Sequence, residues 1–197
     1  MKRSKNRWQD HYSRRARKEN YAARSVYKLA EIQKKHGIIE RGDRVLDLGC
    51  SPGSWLQFAA QQTGEQGRVI GVDLKPVTIK LPHHVRVYTG DIYTLSESLP
   101  DILAMDFDVV LSDMAPATTG SKFADGVRSF ELSREALTVA DQVLRTGGRF
   151  VCKIFQGEDF KTFSDQVKQQ FDRMYIFKPK SSRKASREIF IIGLGKQ

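Results

Sequence analysis

Short apolar runs alternate with longer segments of helical periodicity along most of this chain. The runs are rich in Val, Ile, Leu and Phe and are flanked by polar or glycine-containing turns, a pattern that predicts buried strands. We predict seven strands, at residues 45–48, 68–73, 85–89, 109–112, 149–155, 173–178 and 188–194. Helices are predicted at residues 24–36, 54–62, 130–144 and 160–170, with a helical or irregular stretch around 94–103.

Strands separated by helices predict βαβ units, and therefore an α/β fold with a mostly parallel, Rossmann-like sheet and helices on both faces. The last two strands flank a basic loop at 179–187, and a hairpin there adds an antiparallel C-terminal strand. The length of 197 residues fits one domain. We expect a single domain over residues 24–197, preceded by a basic, partly flexible extension over residues 1–23.

Basic residues concentrate at the two ends of the chain. The net charge is +9 in residues 1–41, −4 in residues 42–177 and +5 in residues 178–197, which gives +10 overall. This distribution is typical of a catalytic body whose termini bind a polyanion. Tyrosines interleave with Arg and Lys between residues 12 and 35, and this mixture favours RNA, since bases stack on aromatic rings while phosphates pair with cations. A solvated, partly disordered tail is the alternative for residues 1–10.

Hydropathy and cysteine usage exclude several classes of protein. The mean hydropathy is −0.47, and no apolar run approaches the ~18 residues that a membrane span needs. The basic N-terminus lacks the apolar core of a secretory signal. Cys50 and Cys152 have neither metal-site spacing nor a disulfide framework. We therefore expect a cytoplasmic protein that has no membrane partner and no metal.

The segment VLDLGCSPGSW at 45–55 predicts a strand, a glycine turn and the start of a helix. Gly49 and Gly53 permit a sharp turn and a close approach to a ligand, and open α/β sheets bind ligands at the carboxyl ends of their strands. Asp73 ends the second strand, where an acidic residue binds ribose hydroxyls. Asp91 follows the third strand, and we expect it near an adenine amino group.

The turn favours S-adenosylmethionine over a dinucleotide. It lacks the G-x-G-x-x-G pattern, and Asp47 at the strand end disfavours a pyrophosphate by its charge. A cofactor with an adenosine and a cationic amino-acid moiety fits better. The alternatives are that the glycines only form a tight turn and that Trp55 is only a core aromatic residue.

Four charged residues lie in distinctive segments, and three of them adjoin apolar strands. They are Lys28 in RSVYKL, Asp113 in LSDMAP, Lys153 in FVCKIFQG and Glu188 in SREIFII. Burying a lone charge costs more than a single interaction returns, so stability alone does not explain these positions. Taken singly, each fits a solvated helix residue, a turn cap or a surface ion pair. Together, beside the cofactor turn, they predict proton transfer on a substrate hydroxyl.

Five motifs make the chain resemble the FtsJ-type ribosomal RNA 2′-O-ribose methyltransferases over residues 24–195. The motifs are YKL at 27–29, DLGCSPGSW at 47–55, SDMAP at 112–116, KIFQGE at 153–158 and SREIF at 186–190. Ser54 replaces the usual second glycine of the family and Cys50 an alanine-like position, and both are small residues. The resemblance implies a class I methyltransferase fold that uses S-adenosylmethionine. It also implies a substrate, a uridine ribose in the peptidyl-transferase region of 23S rRNA in the assembled large subunit.

The same resemblance assigns roles to residues. The implied catalytic tetrad is Lys28, Asp113, Lys153 and Glu188, and the implied cofactor contacts are Gly53, Trp55, Asp73, Asp91 and Asp113. Lys153 is the candidate base if part of its population is neutral. If it stays cationic, it stabilises the developing alkoxide instead. Asp113 would orient Lys153, while Lys28 and Glu188 would position the hydroxyl and the second lysine.

The predicted RNA-binding residues lie in the N-terminal segment and in the loop before the last strand. They are Arg14, Arg15, Arg17, Arg24, Lys180, Arg183, Lys184 and Arg187. A generic basic hairpin tip is the alternative for the loop. Competing functions are methylation of a tRNA loop or an mRNA cap, and a non-catalytic ribosome-assembly protein on the same fold. A monomer is expected, since no oligomerisation stripe is present.

Overall fold

The structure is a computed structural model that describes residues 5–98, 100–183 and 185–197. The strands are β1 (Arg44–Leu48), β2 (Arg68–Asp73), β3 (Val85–Thr89), β4 (Phe107–Ser112), β5 (Leu144–Phe155), β6 (Phe171–Phe177) and β7 (Glu188–Lys196). The helices are α1 (Lys5–Lys18), α2 (Val26–His36), α3 (Ser54–Thr63), α4 (Leu95–Ser98), α5 (Pro100–Leu103), α6 (Lys122–Val143) and α7 (Phe160–Gln170), with a 3-10 turn at Ile92–Thr94.

The seven strands form one sheet in the order β3-β2-β1-β4-β5-β7-β6. Pairing is parallel from β3 to β5, while β7 is antiparallel to both β5 and β6. The predicted fold class is therefore confirmed, and β7 is inserted between β5 and β6. Because β7 runs the opposite way, its first residue, Glu188, pairs with Phe155 at the end of β5. Glu188 thus lies at the edge where the parallel strands end.

The sheet is buried on both faces because its central strands are apolar on both. Leu46 and Leu48 of β1 contribute to a core beneath α6 and α7. Val45 points the other way, into a second core beneath α2 and α3. Opposite side-chain directions along one strand follow from its period of two. A continuous apolar run is typical of a parallel strand covered by helices on both sides.

A helix over Lys5–Lys18 was not predicted from the sequence. This segment is strongly basic and has few apolar residues, so its own pattern gives little indication of a helix. The helix packs on α2 through the buried Ala16. The ring centroids of Tyr12 and Tyr27 lie 5.3 Å apart across the same contact. Tertiary packing therefore stabilises this helix.

Two further boundaries differ from the prediction. Helix α6 begins at Lys122, eight residues before the predicted start, and the Ser121 hydroxyl accepts a hydrogen bond from the Ala124 N–H at its N-terminus. Strand β5 begins at Leu144, five residues before the predicted start, and its pairing register with β4 shifts before Arg149. Within the described ranges, no helix has the length and apolar character required to cross a bilayer.

Candidate active site

The four predicted catalytic residues come together at the carboxyl edge of the sheet. Lys28 reaches this edge from α2, Asp113 follows β4, Lys153 lies near the end of β5, and Glu188 begins β7. Their side chains are 5–15% exposed. Four segments that are distant in sequence thus bring two lysines and two carboxylates into one partly buried cluster.

The cluster is a continuous chain of ion pairs. Lys28 Nζ lies 3.0 Å from Glu188 Oε1 and 3.5 Å from Asp113 Oδ1. Lys153 Nζ lies 2.9 Å from the same Asp113 oxygen. Asp113 is therefore shared by both lysines, and Lys28 connects it to Glu188. An isolated charge in so buried a place would be costly, but each charge here has an opposite partner.

The charges of the lysines determine the ionisation of Asp113. Burial alone would raise the pKa of its carboxyl, but the charges of Lys153 and Lys28, together with their hydrogen bonds, outweigh burial and lower that pKa. Asp113 is consequently a carboxylate at neutral pH. A carboxylate in this position favours a fixed orientation of both ammonium groups.

Two buried serines support the strand that carries Lys153, and sequence reasoning did not single them out. The Ser133 hydroxyl donates to the Lys153 carbonyl at 3.0 Å, and the Ser129 hydroxyl accepts from the Phe155 N–H at 3.0 Å. Both serines lie on the buried face of α6, four residues apart. The signal available in the sequence is the spacing of four residues between the two serines, which places both on one face of a helix. The Lys153 ammonium also donates to the main-chain carbonyl of Asp113.

A cleft of about 540 Å³ lies beside the tetrad, at the ends of β1, β2 and β4. This volume is in the range of small-molecule sites. Asp73, Asp91 and Asp113 line it together with one lysine, Lys75. Three carboxylates and one ammonium disfavour a polyphosphate and favour a ligand that carries positive charge. Sequence reasoning missed the apolar part of the lining, formed by Leu48, Val72, Leu74, Ile92, Tyr93, Met114 and Leu132.

Asp73 shapes the glycine turn at the floor of this cleft. Its Oδ2 accepts from the Ser51 N–H at 2.9 Å, and its Oδ1 accepts from the Lys75 N–H at 2.8 Å. Gly49 has φ +78°, and a Cβ there would overlap the Met114 side chain. A residue without a side chain is therefore required where the turn approaches the loop after β4. On the other side of the cleft, Asp91 Oδ1 accepts from the Tyr93 N–H.

Neither Gly53 nor the Trp55 side chain lines the cleft. Gly53 has φ +109° at the start of α3, and a Cβ there would come 2.7 Å from Ile79 Cδ1. The Trp55 indole is buried, lies 5.9 Å from the Phe190 ring and donates to the Ser25 carbonyl at 2.9 Å. Only the main-chain groups of these two residues, in the first turn of α3, remain for a cofactor contact, since such N–H groups have no helical acceptor.

The expectation that the charge of Asp47 disfavours a pyrophosphate is weakened by the environment of this residue. It is buried in β1, and neither carboxylate oxygen has a partner among the described residues. Burial raises its pKa well above the usual value, and Asp113 and Asp73 raise it further. A carboxyl driven toward its neutral form repels a pyrophosphate weakly. Exclusion of a dinucleotide therefore depends on the missing glycine pattern and on the carboxylates that line the cleft.

The predicted RNA-binding residues occupy different environments. Arg14, Arg15 and Arg17 are exposed on α1, and Arg15 pairs with Glu19 at 2.7 Å. Arg24 is partly buried and donates to the Ser181 carbonyl, which connects the segment before α2 to the loop before β7.

That loop is itself held in place. Glu31 of α2 accepts the N–H groups of Lys180 and Ser181, at 2.7 and 2.9 Å. The Lys180 and Arg183 side chains remain exposed. Arg187 donates to two main-chain carbonyls, of Lys122 and Gln156. Lys184 lies outside the described residues.

The sheet order, the cleft and the carboxylates around it define an α/β methyltransferase of the S-adenosylmethionine-dependent class. Residues 21–196 match the family described as FtsJ-like methyltransferase, and the chain belongs to this family. The family uses S-adenosylmethionine.

Several relatives extend over nearly the whole chain. A protein of Desulforapulum autotrophicum named ribosomal RNA large subunit methyltransferase E is 57% identical over 98% of this chain and 95% of its own length. A protein of the same name from Bdellovibrio bacteriovorus is 49% identical over 95% of this chain and 97% of its own length. A solved structure described as a ribosomal RNA methyltransferase of Plasmodium falciparum has a TM-score of 0.75 at 28% identity and covers 89% of this chain and 98% of its own.

Proposed function

We propose that this enzyme methylates the 2′-hydroxyl of a uridine ribose in 23S rRNA, in the peptidyl-transferase region of the assembled large ribosomal subunit. The observation that carries the proposal is the Lys28-Asp113-Lys153-Glu188 cluster, which lies directly beside the cofactor cleft. A pure RNA-binding protein has no need of two partly buried lysines held at a ligand cleft. The names of the relatives, at 49–57% identity over nearly full length, support the ribosomal target.

The cofactor contacts belong to residues at the ends of successive strands. S-adenosylmethionine supplies an electrophilic methyl group on a sulfonium when it is bound. Asp73 is proposed to accept hydrogen bonds from ribose hydroxyls, and Asp91 is proposed to accept one from the adenine amino group. Gly53 and Trp55 would contribute main-chain groups. Asp113 lines the cleft and also holds both lysines, so it connects the cofactor site to the catalytic cluster.

Lys153 is the residue proposed to act on the substrate hydroxyl. A ribose hydroxyl must lose its proton at or before methyl transfer, and a lysine amine within hydrogen-bond reach can accept it. Asp113 orients the Lys153 Nζ through its carboxylate and its main-chain carbonyl. While Lys153 is cationic, the same atom stabilises negative charge that develops on the oxygen. Lys28 and Glu188 are proposed to position the hydroxyl and the second lysine. Lys28 Nζ lies 3.0 Å from Glu188 Oε1.

The substrate reaches this cluster across a basic surface. Residues 1–23 are proposed as a basic extension of one methyltransferase domain over residues 24–197, with Arg14, Arg15 and Arg17 binding phosphates. Arg24 is proposed to act there together with Lys180, Arg183 and Lys184. Arg187 is engaged by main-chain carbonyls and has a smaller part in phosphate binding. We further propose that the enzyme acts as a monomer in the cytoplasm.

The experiment that tests this function is transfer of tritium from labelled S-adenosylmethionine to large ribosomal subunits from cells that lack the enzyme. Nucleoside analysis identifies the product, and tRNA and capped mRNA serve as alternative acceptors. Label recovered as 2′-O-methyluridine from 23S rRNA is the expected result. Label on tRNA or on an mRNA cap instead would show that the substrate is not 23S rRNA. Cofactor binding without label on any RNA would overturn the proposal.

A further inference from the structure

A second cavity of about 270 Å³ lies beyond the end of β5, and it shares no lining residue with the cofactor cleft. It opens between the start of α6, the loop before α7 and Arg187. Strand β5 connects it to the catalytic cluster, since Phe155 lies two residues after Lys153. Two residues of strand span about 6.7 Å, so the cavity adjoins the site where the substrate hydroxyl is held.

The cavity wall is aromatic. Four phenylalanines line it, Phe123, Phe130, Phe155 and Phe160. Phe123 stands at the opening with 71% of its surface exposed, more than any other large apolar residue of the described part of the chain. An exposed aromatic side chain beside an aromatic cavity has a hydrophobic cost in water and indicates a ligand with an aromatic face.

The polar part of the wall fits the rest of a nucleotide. Lys122 and Arg187 supply positive charge, and the Arg187 guanidinium lies 5.8 Å from the Phe155 ring. Glu158 and Asp159 supply carboxylates that can accept the N–H groups of a base. Aromatic faces for stacking, an ammonium group for phosphate and acceptors for a base edge are the combination that recognises unpaired RNA.

A glycine keeps the cavity open. Gly126 lies inside α6 and lines the cavity, and a Cβ placed there would meet no atom within 4 Å. Glycine inside a helix costs roughly 0.5–1 kcal/mol relative to alanine. Neither a clash nor a left-handed backbone requires glycine here, since Gly126 is absent from the positive-φ residues. The open space itself is what a side chain at this position would remove.

We infer that this cavity binds an unpaired nucleobase of the RNA substrate, stacked on Phe123, while the ribose that is methylated lies at Lys153. The inference rests on the proposed function, because an RNA substrate must be present for a base to enter. Truncation of an aromatic side chain that stacks on a base lowers RNA affinity ~5- to ~100-fold. The base would thereby fix the approach of the ribose to the catalytic cluster.

The first test fills the cavity without harming the fold. Gly126→Leu places an alkyl chain in open space, and Gly126→Ala adds only a methyl group. Both variants are expected to unfold at or above the wild-type temperature, because the helix loses an internal glycine. With large subunits from cells that lack the enzyme, Gly126→Leu is expected to raise KM at least about fivefold, whereas Gly126→Ala stays close to wild type.

The second test separates stacking from simple apolar contact. Phe123→Leu retains apolar volume but has no aromatic face, and Phe123→Trp retains the face. Phe123→Leu is expected to raise KM and Phe123→Trp to preserve it, while S-adenosylmethionine affinity stays unchanged in both. Ile176→Ala, which truncates another exposed apolar residue on β6, serves as the control.

The outcomes distinguish this inference from the proposed function. Wild-type methyl transfer to the subunits, with KM unchanged in Gly126→Leu, would overturn the base-binding cavity and leave the reaction intact. A KM for Phe123→Leu equal to that of Phe123→Trp would also overturn it, because the contact would then be merely apolar. Failure of the wild-type protein to methylate the subunits would overturn the proposed function itself.

Discussion

Lys153 Nζ lies 2.9 Å from Asp113 Oδ1 and also donates to the main-chain carbonyl of Asp113. One residue therefore holds the ammonium at two points, and the rotation of the lysine side chain is restricted. Asp113 simultaneously pairs with Lys28 and lines the cofactor cleft. This relationship holds the Lys153 nitrogen, which we propose acts on the substrate hydroxyl, at a fixed position relative to the cofactor cleft.

The ionisation of Asp113 predicts how the stability of the fold depends on pH. Its folded-state pKa is lowered, so its stabilising effect is present at neutral pH and is lost as the pH falls from about 3.9 through the folded-state value. Asp113→Asn should lower the free energy of unfolding by about 3 kcal/mol at pH 7, because both lysines lose a buried partner. The difference from wild type should shrink below about pH 4.

Urea unfolding at pH 7 and in steps down to acid pH measures this difference. Asp106→Asn is the matched control, since Asp106 is an exposed carboxylate at the opposite edge of the sheet. A difference between Asp113→Asn and wild type that is the same at every pH would show that the Asp113 charge is not what stabilises the cluster.

Trp55 is predicted to act through packing. Trp55→Phe removes the hydrogen bond to the Ser25 carbonyl and part of the contact with Phe190. The free energy of unfolding should fall by roughly 1–3 kcal/mol. S-adenosylmethionine affinity, measured by calorimetry on the folded variant, should change little. A large loss of cofactor affinity at unchanged stability would instead mean that the indole itself contacts the cofactor.

The carboxylate of Asp73 is predicted to determine cofactor affinity. Asp73→Ala removes an acceptor for the proposed ribose contact and releases the N–H groups of Ser51 and Lys75. The Kd for S-adenosylmethionine should rise about 10- to 100-fold, as expected for hydrogen bonds to a charged group. Asp106→Ala should bind like wild type. Equal affinities for the two variants would exclude Asp73 from the cofactor site.

The arginines of α1 are predicted to contribute to RNA binding through counterion release. Arg14→Ala combined with Arg17→Ala should reduce the slope of log K against log salt by about 2 units, one for each phosphate contact. Arg68→Ala combined with Arg86→Ala removes the same charge at the opposite edge of the sheet and should leave the slope unchanged. Equal slopes for the two double variants would refute a specific role for α1.

Much of the fold follows from the sequence because its strands have a simple pattern. Apolar runs bounded by turns identified seven strands, and their alternation with helices predicted a mostly parallel sheet, which the structure orders as β3-β2-β1-β4-β5-β7-β6. The same order explains why Asp113 and Lys153 meet, since Ser112 of β4 pairs with Cys152 of β5. Residues that follow paired positions in parallel strands lie side by side.

Other features depend on tertiary contacts that no local pattern encodes. Helix α1 is stabilised by the contact of Tyr12 with Tyr27 and by burial of Ala16. The serines that hold β5, Ser129 and Ser133, act through main-chain atoms of a strand distant in sequence. The burial of the Trp55 indole likewise depends on where α2 and β7 lie.

The most direct test of the central claim is methyl transfer by Lys153→Met, which keeps an unbranched apolar chain as long as the four-carbon stem of lysine and removes the nitrogen. Lys161→Met is the control, because Lys161 is exposed on α7 and pairs with Asp165 of the same helix. With large subunits from cells that lack the enzyme, kcat for Lys153→Met should fall at least about 100-fold while its Kd for S-adenosylmethionine stays at the wild-type value. Wild-type kcat in a folded Lys153→Met protein would contradict the assignment of Lys153 as the residue that acts on the hydroxyl.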